Sequence, residues 1–207
     1  MSKFEDIFSE APVVAILRGL KPEEAIDVAS ALIEGGIKIM EVPLNSPDPF
    51  NSIERIAKQL GDVVCVGAGT VLKPAQVNQL KDCGGEFVVA PNFSLEVGAA
   101  AQKYGFSWLP GIYTPTEAFA ALDAGADGLK LFPAELCPPA IIRAFRAVIP
   151  KEIKLLPVGG VDVSNIADYM KAGASGAGIG SSLFRPGTRL DAITAHAKAL
   201  MANVKLT

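Results

Sequence analysis

The chain has 207 residues, half of them hydrophobic, with a formal net charge of -3 and a pI near 5.3. That length suits one large core rather than two, so a single domain over 1–207 is expected. The charge balance gives no basic field, and no apolar run approaches the roughly 18 residues of a membrane span, so neither nucleic acid nor membrane is an expected partner.

The opening MSKFEDIFSEAP interleaves acids with apolar residues where a signal peptide needs a long apolar stretch, and a cytoplasmic location is expected. Phe4, Ile7 and Phe8 have helical spacing and predict a short helix that plugs one end of the fold. A phrase then recurs, in which an amphipathic segment ends at glycine and a short apolar run follows: IEGGIKIMEV, CGGEFVVAP, KYGFSWLPG, DAGADGLKLFP, KAGASGAGIG. Glycine stops a helix there by taking the left-handed conformation, and the apolar run reads as a strand buried on both faces. With VVAIL, VVCVG and IKLLPV added, strands begin near residues 13, 37, 63, 86, 107, 127, 153 and 175. Helices are predicted over 22–34, 49–60, 74–83, 94–103, 116–124, 139–148, 164–171 and 190–203. Asp48-Pro49, Lys73-Pro74, Thr114-Pro115 and Ser164 mark helix starts, since proline suits the first turn and Ser or Asp caps free amides. Eight strands at intervals of roughly 20 to 26 residues predict an α/β fold, a (β/α)8 TIM barrel with a short N-terminal helix. A doubly wound open sheet is the second choice.

In such a barrel the chemistry gathers where strands end. Alternation along DGLKLFPAE puts Gly128, Lys130 and Phe132 on one face and Leu129 and Leu131 on the other. The leucines suit the helix layer, which leaves Lys130 pointing into the barrel. Burial and any neighbouring cation lower an amine's pKa there, and a neutral amine attacks a carbonyl. The alternative is a lysine that reaches the rim or pairs with an acid. Glu41 shares parity with Ile37 and Ile39 and also faces inward, as a proton carrier or as the lysine's ion-pair partner. Gly159-Gly160 and GIGSS, with Gly180, Ser181 and Ser182, end strands seven and eight, where barrels bind phosphate on backbone amides. SSLFR is expected to form the short helix of that site. Arg18 and Thr70 are the best anchors for a second anion such as a carboxylate. A small phosphorylated metabolite is the expected ligand.

His196 is the only histidine, and it lies far along the chain from most of these loops, which argues against a histidine-rich zinc site and a Ser-His-Asp triad. No metal or cofactor is expected, and proton transfer falls to carboxylates, lysine, hydroxyls or water. Cys65, Cys83 and Cys137 are odd in number and widely spaced, and read as free thiols.

With GAGTVL, PGIYTPTEA, LKLFPAE and PVGGV in register, the sequence resembles the 2-keto-3-deoxy-6-phosphogluconate and 6-phosphogalactonate aldolase family across nearly its whole length. The resemblance implies a class I carbon-carbon lyase in which Lys130 matches the Schiff-base lysine, Glu41 the acid-base glutamate and Thr70 part of the carboxylate site. It implies a phosphorylated 2-keto-3-deoxy sugar acid as substrate, pyruvate and glyceraldehyde 3-phosphate as products, and a homotrimer. Gluconate members commonly carry LRT after the glutamate and a threonine before the glycine pair. Here PLNSP and Val158 stand in those places, and both departures resemble the galactonate branch. Asn45 leaves no arginine in that loop, so the carboxylate-binding role passes to Arg18. Val158 lacks the hydroxyl that would hydrogen-bond one substrate epimer. The alternatives are the same chemistry on the gluconate epimer, a phosphosugar isomerase or epimerase on the same barrel, and a metabolite-binding protein without turnover.

Overall fold

The computed structural model describes residues 2–205, in which short strands alternate with helices. Helix α1 (Lys3–Glu10) precedes β1 (Val13–Ile16), α2 (Ala25–Glu34), β2 (Ile39–Pro43) and α3 (Pro49–Leu60). Then come β3 (Cys65–Gly69), α4 (Pro74–Asp82), β4 (Phe87–Val89), α5 (Leu95–Lys103), β5 (Ser107–Leu109) and β6 (Gly111–Ile112). The chain ends with α6 (Pro115–Asp123), β7 (Gly128–Leu131), α7 (Pro139–Arg146), β8 (Lys154–Pro157), α8 (Ile166–Lys171), β9 (Ala177–Ile179) and α9 (Leu190–Lys205). All ladders are parallel, in one sheet of order β5-β4-β3-β2-β1-β9 and another of order β6-β7-β8. A lone parallel bridge, Val158 to Gly178, links the end of β8 to β9. The result is a curled parallel sheet with helices outside it.

The fifth expected strand is two. Pro110 has no amide hydrogen to give a ladder, so Ser107–Leu109 pairs with β4 and Gly111–Ile112 pairs with β7. The Pro110 carbonyl still accepts from Lys130 N at 2.9 Å.

Side-chain alternation divides the buried residues into two clusters. Val13, Ala15, Met40, Val42, Leu129 and Leu131 belong to the larger cluster, which also takes in the buried apolar residues of the helices after α1. Phe4, Phe8, Val14, Ile39, Phe87 and Leu156 belong to a smaller cluster within the curl. The first helix supplies that inner cluster as its spacing predicts, with Ile7 packed alongside. Ser2 caps it in a reciprocal capping box with Glu5, and Lys154 Nζ donates to Glu5 Oε1 at 3.3 Å while Lys3 pairs with Glu86 at 2.7 Å. Ile37 departs from its expected parity: it lies before β2, donates to Leu32 O at 2.9 Å and joins the outer cluster.

Two local expectations are corrected. SSLFR is a hydrogen-bonded turn rather than a helix, with Leu183 N and Phe184 N both donating to Gly180 O, and Gly187 takes a left-handed φ of 85° soon after. Helix α8 starts at Ile166 behind Asn165, because the Ser164 hydroxyl and amide are both spent on Asp162 Oδ1, shaping a loop instead of capping. None of the described helices is long and apolar enough to cross a membrane.

Candidate active site

Lys130 and Glu41 come from different sheets and meet in one small cavity. Its floor is Val14, Val89, Leu109 and Leu156, and Val158 forms part of its wall. Lys130 is 6% exposed and Glu41 2%. No ion pair within 4.0 Å joins them, and Glu41 Oε2 has no hydrogen-bond partner. The Lys130 ammonium stands 4.9 Å from the centre of the Phe132 ring. Burial pushes the Lys130 pKa below its ordinary value; the Glu41 charge opposes that shift and the Arg18 charge adds to it. Burial pushes Glu41 above the usual carboxylate range against the pull of Lys130 and then Arg18. Each group therefore shifts toward its neutral form, leaving the amine more nucleophilic and the carboxyl able to hold a proton.

The β2 and β3 strands set the carboxylate's place. Glu41 pairs in register with Gly67 and Pro43 with Gly69, so the Glu41 side chain leans along β3 toward its end. Just beyond, Thr70 adopts φ +56°, a left-handed conformation that a β-branched residue takes only at a cost of about 1–3 kcal/mol. The following amide, Val71 N, is held by Val89 O at 3.2 Å. Such strain kept at a strand end points to a job for the Thr70 hydroxyl and backbone.

Arg18 is exposed after β1, and its Nη1 donates to Asn45 Oδ1 at 2.7 Å. The Ser46 hydroxyl accepts from Gly19 N at 3.0 Å, tying the same two loops together. Asn45 thus orients the guanidinium, a link sequence reading missed because it counted Asn45 only as a lost arginine. Phe132 shares the face of Lys130, as alternation predicts, and its ring beside the ammonium is a contact that alternation alone does not reveal.

Gly159 and Gly160 both take left-handed φ, 104° and 67°, and the Asn165 side-chain amide donates to Gly160 O at 2.9 Å. Among the described residues, the amides of Gly160, Ser181 and Ser182 make no hydrogen bond to a protein acceptor. These amides lie on neighbouring loops, since Ser182 Oγ donates to Val161 O at 2.9 Å. That bond commits the Ser182 hydroxyl, which lines a separate surface cleft with Asp162, Ser164 and His196. Glycine at 180 and exposed Ser181 complete the loop. Val158 reaches from β8 toward Gly178, where an added Cβ would meet Val158 Cγ2 at 2.7 Å.

Larger surface clefts lack these features; that between Glu34, Lys38 and Lys198 holds a surface ion pair and no group desolvated like Lys130. Among the described residues no cluster of three metal-ligating side chains occurs, and the three cysteines are free.

A family model described as KDPG and KHG aldolase matches residues 4–195. The chain belongs to this aldolase family. A probable 2-dehydro-3-deoxy-6-phosphogalactonate aldolase of Rhizobium meliloti (strain 1021) is 49% identical over 193 residues, covering 93% of this chain and 91% of the relative. A 2-dehydro-3-deoxy-6-phosphogalactonate aldolase of Escherichia coli (strain K12) is 44% identical over 193 residues, 93% of this chain and 94% of its own. A solved structure described as native KDPGal superposes with a TM-score of 0.92 at 43% identity, over 94% of this chain and 95% of that one. The aldolase family match spans every loop just described, from Arg18 to Ser182.

Proposed function

We propose that this aldolase cleaves 2-dehydro-3-deoxy-6-phospho-D-galactonate to pyruvate and D-glyceraldehyde 3-phosphate by a class I, metal-free route. The observation that carries the reading is the buried Lys130 amine, facing a buried carboxylate with which it forms no ion pair. Lys130 Nζ adds to the C2 ketone, and the carbinolamine loses water to give a protonated imine. Glu41, directly or through water, takes the proton from the C4 hydroxyl. The C3–C4 bond breaks, its electron pair enters the imine to form an enamine, and glyceraldehyde 3-phosphate leaves. Glu41 returns its proton to C3, and hydrolysis of the imine frees pyruvate and Lys130.

Arg18, held by Asn45, and strained Thr70 bind the substrate carboxylate. Gly159 and Gly160 shape the phosphate loop, and the open amides of Gly160, Ser181 and Ser182 hold the distal phosphate beside Gly180. The reading takes residues 1–207 as one cytoplasmic aldolase domain and the two sheets as one closed (β/α)8 barrel. The Val158–Gly178 bridge and the continuity of the chain through Pro110 support that closure. It also takes the enzyme as a homotrimer, for which exposed Leu95, Phe119, Leu136 and Ile141 offer apolar surface.

Borohydride added with pyruvate is expected to leave a stable secondary amine on Lys130, located by intact mass and peptide mapping. An unmodified chain under turnover conditions overturns the class I route. The same preparation ranks the epimers. Val158 offers methyl groups and no hydrogen bond, so a C4 hydroxyl aimed at it loses a water partner at a cost of about 1–3 kcal/mol. The galactonate epimer is expected to have the higher kcat/KM, and Val158→Thr to move the ratio toward the gluconate epimer by roughly tenfold to a hundredfold. A wild-type preference for gluconate would overturn the epimer assignment.

A further inference from the structure

Two glycines on the inward face of β3 are glycine for different reasons. A Cβ built on Gly67 would strike the Phe87 carbonyl and ring, so the scaffold itself requires glycine there. A Cβ built on Gly69 would overlap Glu41 Oε2 and lie 2.7 Å from Oε1, and its three nearest neighbours are all atoms of that one carboxylate. Gly69 is also absent from the left-handed glycines, so its backbone conformation does not demand glycine. What position 69 lacks in side chain, the carboxylate occupies.

A Cβ at position 69 would displace the carboxylate, the far end of a flexible side chain that borders the small cavity it shares with Lys130. In its present place Oε2 accepts no hydrogen bond and lies outside ion-pair reach of Lys130, an arrangement suited to receiving a proton from a substrate. We infer that Gly69 is a positioning residue: the hollow left by its missing side chain holds the Glu41 carboxylate at the proton-transfer position, apart from Lys130. This rests on the reading of Glu41 as the acid-base group. Gly69 touches no reacting atom and acts only through that carboxylate.

The test is a cycle of Gly69→Ala and Glu41→Gln, each variant assayed for cleavage and for borohydride trapping with pyruvate. Gly69→Ala alone is expected to slow cleavage by about 10²-fold while Lys130 is still trapped, because imine formation outlives the loss of a placed base. In the Glu41→Gln background the same alanine is expected to cost less than about threefold more, since the two changes remove one function. Wild-type cleavage by Gly69→Ala, or an equal further loss in both backgrounds, overturns the inference. If Glu41→Gln alone cleaves at the wild-type rate, the acid-base assignment fails instead, whatever Gly69 does. Should Gly69→Ala not fold, Glu41→Asp supplies the alternative, because its shorter side chain withdraws from the hollow. Gly69→Ala in that background is expected to fold and to stay within about tenfold of Glu41→Asp alone; failure to fold there as well overturns the inference.

Discussion

At the N-terminal ends of the strands, α1 closes the curl with aromatic side chains that satisfy one another: Phe4 stacks on Phe8 at 5.5 Å and tilts against Phe87 at 5.1 Å. At the C-terminal ends lie a buried amine, a buried carboxylate with an unpartnered oxygen, a threonine in left-handed conformation and loop amides without protein acceptors. Both ends belong to the same strands, only two to five residues long. One end gains stability from apolar burial; the other holds groups whose presence opposes folding. Groups that cost stability persist where they perform chemistry.

The largest expected effect tests the upper end alone. Lys130→Met keeps a long flexible side chain in the cavity and removes the amine, so turnover and borohydride trapping should fall below detection. The folded state loses a desolvated cation and should be at least as stable as the wild type near neutral pH, read by chemical denaturation. A variant that unfolds more readily would mean that Lys130 supports the scaffold and that the two ends do not divide the work.

Phe4→Ala tests the lower end. Deleting a fully buried ring should cost about 3–5 kcal/mol of stability. At a temperature where the variant stays folded, kcat should match the wild type, because Phe4 does not line the cavity that Lys130 and Glu41 share. A large fall in kcat with preserved folding would couple the plug to the site.

The contrast was partly legible in the sequence. Parity along DGLKLFP separates Lys130 from Leu129 and Leu131 because side chains alternate regardless of neighbours, and glycine stops mark helix ends for an equally local reason. What was not legible depends on neighbouring segments. The division at Pro110 is set by which strand needs an amide, the Arg18–Asn45 bond by two loops 27 residues apart, and the Gly69 hollow by a glutamate on the next strand. SSLFR failed for a related reason: its place after the eighth strand suggested the short helix of a phosphate site, but Gly180 accepts two amides and closes a turn first.

The smallest expected effect sharpens the comparison through pH. Burial raises the folded-state pKa of Glu41 above its ordinary value of 4.5, so the folded protein holds a proton that the unfolded chain has already released. The stability associated with this group is therefore fully present below the unfolded-state value and is lost as pH rises through the folded-state value. Glu41→Gln has similar volume and cannot ionise, so it escapes that loss. Its melting temperature relative to wild type should climb as pH rises from about 4.5 to about 8. Lys130 titrates with the opposite sign. Its depressed pKa makes the wild type pay more as pH falls below the ordinary lysine value, so the advantage of Lys130→Met should widen toward acid. Melting curves of wild type and both variants from about pH 4.5 to about pH 10 separate the two slopes. If the Glu41→Gln advantage shrinks with rising pH, the carboxylate is stabilised by its charge, and the upper end contains a structural ion pair instead of an acid-base group held ready for substrate.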